Sequence, residues 1–341
     1  MTGPQFAADG SLDLGRLARR ITLFMVFAVV GVLVLATMPG IGEVRERVSD
    51  ANPWWLLVAA TCAVGSTLGF VVALWGAFDR VVPWRVAVDL GFAEQGANVL
   101  LPAGGAGGPA FGTFVMRHAG VPTAYAAERH AALFLVTSSV GLAALTVFGT
   151  IGLAIGHPAF TLALVPLVIG AGGTLLALGF ASTRVPAQPA RGRLRMLVWR
   201  LWQFLHGGVR TSLRLLVHGD RSLAIGAVAY YAFDVASLGA AFQALGGGAP
   251  TMATFVLAYT VGHAGAFVPT PGGVGGVDGG LIGSFVLYGA SLPTATAAVL
   301  AYRIFQLGVP IVLGAIGLLR IRAQLGDESE RARIAARYAD F

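Results

Sequence analysis

The chain has 341 residues, 56% of them hydrophobic and only 11% charged, with a mean hydropathy of +0.76. That is more apolar surface than a water-soluble domain of this length buries, and too much for a disordered chain, so lipid is the expected solvent for most of it. The net charge of +7 would suit nucleic acid, but the basic residues fall between apolar runs, so anionic lipid is the expected partner and nucleic acid is not. Every strongly basic side chain is Arg; without Lys there is no Walker-type phosphate loop and no Schiff-base enzyme. A single cysteine, Cys62, excludes a disulfide framework and a CxxC metal motif.

A membrane-spanning helix needs about 20 mostly apolar residues. In chain order, residues 1–20 form a cytoplasmic N-terminus whose Arg16, Arg19 and Arg20 precede a first span at 21–38, retained because no cleavage site follows. Further spans are predicted at 54–78, 131–155, 159–181, 222–245 and 294–319. Two shorter interrupted pairs lie between them: 84–101 with 109–119, and 251–267 with 277–290. The first is broken by Pro102-Ala103-Gly104-Gly105-Ala106-Gly107-Gly108-Pro109, the second by Pro269-Thr270-Pro271-Gly272-Gly273-Val274-Gly275-Gly276. Each reads as a broken-helix hairpin that re-enters its own side, with Gly and Pro supplying hinges and free backbone donors.

Residues 182–221 are strongly basic, with eight Arg and only Asp220 acidic between Arg184 and Arg221, so they belong in the cytoplasm. Within them Leu194, Leu197, Leu201, Leu205, Leu213 and Leu216 recur at helical spacing beside Trp199 and Trp202. They read either as an amphipathic helix on the inner leaflet or as a basic loop that only fixes topology. The tail, 321–341, carries Arg322, Arg331, Arg333 and Arg337 and goes to the same side. The fold expected is therefore an all-α polytopic membrane protein with six transmembrane helices, two re-entrant hairpins and both termini cytoplasmic. Its first membrane half is 21–181 with hairpin 84–119, its second 222–320 with hairpin 251–290.

The two halves repeat. A shift of 167 residues places Pro83 on Pro250 and Pro102 on Pro269, and one further residue places Gly104, Gly105, Gly107 and Gly108 on Gly272, Gly273, Gly275 and Gly276. Pro122-Thr123-Ala124 then matches Pro293-Thr294-Ala295, and Arg129 matches Arg303 after small insertions. Because 54–78 runs inward and 222–245 outward, the copies are inverted, as in alternating-access carriers whose broken helices meet near the midplane.

At these residues the chain resembles the lysylphosphatidylglycerol synthase transmembrane family, the flippase-like part of the multiple peptide resistance factor and its stand-alone relatives. The resemblance rests on Asn98-Val99-Leu100-Leu101-Pro102 through Gly107-Gly108-Pro109, on Pro269 through Gly276 with Val277-Asp278-Gly279, and on Arg303 of Ala301-Tyr302-Arg303. It implies a lipid translocase of the bacterial cytoplasmic membrane for an aminoacylated, glycosylated or polyprenyl lipid. This chain departs from the pattern in having only Gly, Ala and Pro from Ala103 to Ala110, and Asp278 where relatives often have Glu. The aminoacyl-transferring domain of the fused relatives has no counterpart in 321–341, so no synthase activity and no cofactor are expected.

A charged side chain near the bilayer centre costs about 2.5–3.5 kcal/mol on insertion scales, so each one asks for a partner or a wet cavity. Asp234 and Arg303 are the leading candidates for the lipid path, paired with one another or facing a proton and a phosphate; a purely structural ion pair is the competing reading. Asp278 caps the helix after the second break, or balances charge beside a headgroup held there. Glu94, deeper than Asp89 in the first hairpin, and Arg129, beside Glu128, complete the charged set. His263 is either a packing residue or a proton site. No metal-ligand spacing is present. A carrier for a small solute or ion, and a non-transporting partner of envelope-lipid enzymes, remain rivals to a flippase. A second copy of the chain or a separate lipid-modifying enzyme are the candidate protein partners.

Overall fold

In the computed structural model the described residues are 49–80, 82–101, 107–155, 160–183, 192–219, 221–268 and 270–326. The expected span 21–38, the N-terminal Arg cluster, Pro102, Gly104, Gly105, Pro269 and the tail beyond 326 lie outside them. The described chain is helical and has no strand.

Helix α1, Pro53–Ala77, starts where Asn52 accepts the Trp54 N–H at 2.9 Å, with Pro at the first helical position, where its missing N–H costs nothing. α2, Trp84–Leu100, ends as Leu101 turns extended ahead of Pro102, which disfavours helix in the residue before it. α3, Gly107–His118, returns to α4, Thr123–Ala154, and α5, Phe160–Ser182. After α6, Arg193–His218, come α7, Arg221–Ala244, and α8, Met252–Gly262. Two single 3₁₀ turns, His263–Phe267 and Pro271–Gly273, separate α8 from α9, Gly276–Leu287. α10, Leu292–Gly326, closes the described chain.

Five of these helices, α1, α4, α5, α7 and α10, are long and apolar enough to cross a membrane. The arms α2, α3, α8 and α9 have 17, 12, 11 and 12 residues, fewer than the roughly 20 of a typical spanning helix. α4 begins at Thr123 rather than 131, because Pro122 sets the helix start and the apolar run does not. Glu128, Arg129 and His130 are thereby part of the helix itself.

α1 and α7 lie antiparallel. Ascending from Asn52 through Ala59 and Gly69 to Gly76, the partners descend from Ala244 through Ser237 and Tyr230 to Leu223. The approach is close enough that a Cβ on Gly69 would stand 2.5 Å from the Tyr230 backbone nitrogen. Small residues let membrane helices approach this far, and hydroxyls such as Ser237 Oγ, donating to Ala59 O at 2.9 Å, hold the crossing. α2 and α10 are also antiparallel, Gly96 meeting Gly314 and Asp89 meeting Arg320 and Gln324. α4 crosses α8, with Gly152 near Leu257 and Gly141 near Thr260.

There are two apolar cores. One gathers Phe70, Leu74, Phe78, Leu90, Met116 and Leu133 from α1 to α4 and the turn after α1. The other gathers Leu238, Phe242, Phe255, Leu281, Phe285 and Tyr302 from α7 to α10, with its Phe242, Phe255 and Phe285 rings 4.8–5.5 Å apart.

Candidate functional site

A cavity of about 200 Å³ opens between the halves. Ser66 and Thr67 of α1, Gln95 and Asn98 of α2, and Tyr230 and Asp234 of α7 line one side. His263, Thr270, Gly272 and Gly273 from the break of the second hairpin, with Arg303 and Gln306 of α10, line the other. Ser66, Thr67 and Asp234 fall near the middle of their helices, which puts the cavity at mid-depth of α1 and α7.

Arg303 binds the broken hairpin. Its Nε lies 2.6 Å from Asp278 Oδ1, one Nη donates to the Gly272 carbonyl at 2.5 Å and the other to Gln306 Oε1 at 2.5 Å. Asp278 in turn accepts the Gly275 N–H at 2.8 Å on Oδ2, so one carboxylate caps α9 and neutralises the arginine. Gly272, Gly273 and Gly275 have φ of 60°, 69° and 85°, a left-handed backbone that only glycine adopts without strain. Pro271 starts the turn that aims the Gly272 carbonyl at α10, and Gly276 packs so closely on Gly265 that a side chain at either would overlap backbone.

Asp234 does not pair with Arg303. Its Oδ2 accepts hydrogen bonds from Tyr259 at 2.5 Å and Tyr302 at 2.8 Å, and His263 Nε2 stands 4.0 Å away. The reason is geometric: Asp278, on the arm directly against α10, reaches the guanidinium first. His263 also places Nδ1 3.2 Å from the Tyr259 carbonyl.

Two other expected path residues, Arg129 and Glu94, lie elsewhere. Arg129 pairs with Asp79 at 2.7 Å, donates to the Ala77 carbonyl at 3.2 Å and covers the Tyr125 ring, while its neighbour Glu128 accepts from Thr211. Arg129 and its neighbour Glu128 thus each contact a different helix and not one another, since adjacent helical residues do not face one another. Glu94 points away from the cavity, onto His130 of α4, and Asp89 is held by Gln324 at 2.9 Å. At the first break Gly107 packs on Leu101, and Gly108 donates its N–H to Asn98 Oδ1 at 2.7 Å.

In register from Pro122 and Pro293 along unbroken helices, Arg129 falls opposite Leu300 and Arg303 opposite Ala132. The match between the two arginines needs an insertion that a continuous helix does not contain. Tyr259, Tyr302 and His130 do not stand out in the sequence, although Tyr302 adjoins Arg303 and His130 adjoins Arg129.

In the basic segment, α6 is a helix, but its described inner face is Thr211, Ser212, Leu215 and His206, with Leu216 exposed. Polar contacts to α4 and to Thr183, and the small Ala131 beneath Gly208, set that face. Among the described residues no group of three His, Cys, Asp or Glu could hold a metal ion.

The family model described as Lysylphosphatidylglycerol synthase TM region matches residues 22–314. The chain belongs to that family. No curated protein matches the sequence. The match takes in the cavity-lining positions up to Pro310 and both breaks.

Proposed function

We propose that the chain is a lipid-headgroup translocase of the bacterial cytoplasmic membrane, without synthase activity, working by alternate opening of two inverted halves. One observation carries the reading: a polar cavity, with a tyrosine-held carboxylate and a hairpin-held arginine, sits between the halves at mid-depth of helices that otherwise bury apolar side chains. Polar groups at that depth are costly and usually mark a substrate pathway. Headgroup polar atoms pass through the cavity while acyl chains stay in lipid. The headgroup is that of an anionic or modified lipid, aminoacyl, glycosyl or polyprenyl.

The inverted arrangement is supported by the antiparallel α1 and α7 and by the matching crossings of α2 on α10 and α8 on α4. With 21–38 as a sixth span, both termini lie in the cytoplasm and α2–α3 and α8–α9 enter from opposite faces. α6 rests at the inner leaflet, where exposed Leu216 and Val217 meet lipid and Arg210 and Arg214 meet anionic headgroups. A second copy of the chain or a lipid-modifying enzyme is a fitting partner for such a translocase.

The test is reconstitution into vesicles with a panel of fluorescent lipids differing in headgroup, scored by the fraction reached by a membrane-impermeant quencher. The wild type accelerates exchange of at least one headgroup, and Arg303→Ala abolishes it with expression retained. Wild-type rates in that variant would refute the reading. The modest cavity volume also suits a small solute, and uptake of a solute with no lipid exchange would favour that carrier instead.

A further inference from the structure

The cavity leaves a pair of buried ionisable groups unused. Glu94 of α2 and His130 of α4 are 0% and 1% exposed, on the side of α2 away from the cavity. Their Oε1 and Nε2 lie 2.8 Å apart. His130 Nδ1 is 2.8 Å from the Ala126 carbonyl, which can only accept, so Nδ1 carries a hydrogen; Thr113 Oγ1 lies 3.2 Å from the same nitrogen. One further hydrogen therefore sits between Nε2 and Oε1, and the pair as a unit is neutral. Glu94 Oε2 is buried with no hydrogen-bond partner among the described residues, so an additional or missing proton leaves an uncompensated charge in a sealed space.

The surroundings offer little to offset it. α1 and its following turn present the Phe78 ring, centred 5.1 Å from the imidazole, and α3 presents Thr113 and Gly112. Along α4, Arg129 is engaged by Asp79 and Ala77 O, and Tyr125 lies under its guanidinium. Gly112 is the lid: a Cβ there would overlap both Glu94 Oε1 and His130 Nε2, so α3 seats on the pair by backbone alone. Four residues earlier on the same arm, Gly108 holds Asn98, which lines the cavity.

We propose that Glu94 and His130 form a proton-binding site that couples the first hairpin to the cavity, an inference that rests on the transport reading. With one shared proton the pair is neutral and α3 closes on it. When that proton leaves, the net negative charge draws in water, α3 lifts at Gly112, and the Gly108–Asn98 contact carries the movement to the cavity wall. Rebinding a proton restores the closed arm. The ligand is the proton, which passes to and from the entering water, and the only covalent bond that breaks or forms in the protein is the O–H or N–H bond that carries it.

The test uses the purified full chain in lipid nanodiscs. Infrared difference spectra over about pH 5 to 9 follow the protonated-carboxyl band, and a cysteine at Phe111 of α3, with Cys62→Ala, reports arm opening by maleimide labelling. The wild type should show a titrating band that Glu94→Gln removes, and labelling should rise with pH about tenfold relative to the same cysteine in Glu94→Gln. A titrating band that persists in Glu94→Gln, or identical labelling profiles, overturns the proposal. Should Glu94→Gln not fold, His130→Gln must shift the band's midpoint; an unmoved midpoint overturns it equally. Lipid exchange in the same nanodisc preparation, moved to vesicles, is scored separately. Absence of exchange with an intact titrating band defeats the transport reading, whereas exchange with no such band defeats only this one.

Discussion

The two halves carry their polar groups on different faces of a shared packing plan. Shifted by 168 residues, Gly112 falls opposite Gly280, which packs on the Gly262 carbonyl. In the second half the arms α8 and α9 cross backbone on backbone, a Cβ on Gly262 coming 2.7 Å from the Leu281 Cα. In the first half the equivalent crossing of α2 and α3 is filled by a carboxylate against glycine, sealed beneath His130. Conversely, Arg303 and Asp278 of the second half stand opposite Ala132 and Ala110. Close glycine approaches bring the arms together in both halves, and the charges differ with what packs against each. The second half furnishes the cavity's ionisable groups Asp234, His263 and Arg303, while the first encloses a sealed pair.

That contrast can be broken most severely at the seal. Gly112→Val should destabilise the purified protein by about 3 kcal/mol or more, since neither the backbone nor the ion pair can yield, whereas Gly279→Ala, in open space, should stay within about 0.5 kcal/mol. Thermal melting in detergent measures both, and a tolerated Gly112→Val would end the picture of a closed first arm. Next in size, Arg303→Met should cost about 3 kcal/mol by leaving Asp278 uncompensated, and adding Asp278→Asn should recover part of the loss rather than double it. Additive losses from that double variant would mean the two side chains act separately.

Asp234→Asn keeps the size of the side chain while weakening the charge-assisted bonds from Tyr259 and Tyr302, worth about 1–3 kcal/mol. Headgroup exchange should fall about tenfold, the equivalent of roughly 1.4 kcal/mol, with the melting temperature changed less than in Arg303→Met. The smallest effect is expected at Arg129→Ala. Its partner Asp79 is 36% exposed, so the pair contributes within about 1 kcal/mol, and exchange should remain near wild type. A collapse of exchange in Arg129→Ala would restore it to the lipid path.

Much of this architecture is legible without coordinates. The apolar runs at 54–78, 159–181 and 222–245 correspond to α1, α5 and α7 within a few residues, because a bilayer imposes a length on apolar helices that composition records directly. The breaks are equally legible, since runs of Gly and Pro cannot continue a helix. Pairing is harder. Asp234 and Arg303 stand out as buried charges, yet which partner each takes depends on which helix lies nearest. Tyr259 and Tyr302 look like ordinary aromatic positions until the fold aims their hydroxyls at one carboxylate. Arg129 is drawn toward the site by a repeat match that the continuous helices α4 and α10 do not allow.

By itself, then, the sequence determined the solvent and the breaks in the helices, since these follow from local composition and from the cost of unsatisfied backbone in lipid. The tertiary structure alone decided which side of α2 faces the cavity and which is sealed: Gln95 and Asn98 look inward while Glu94 turns to His130. Helical periodicity offers several faces, and only the neighbouring helices, brought close by Gly112, Gly96 and Gly314, choose among them.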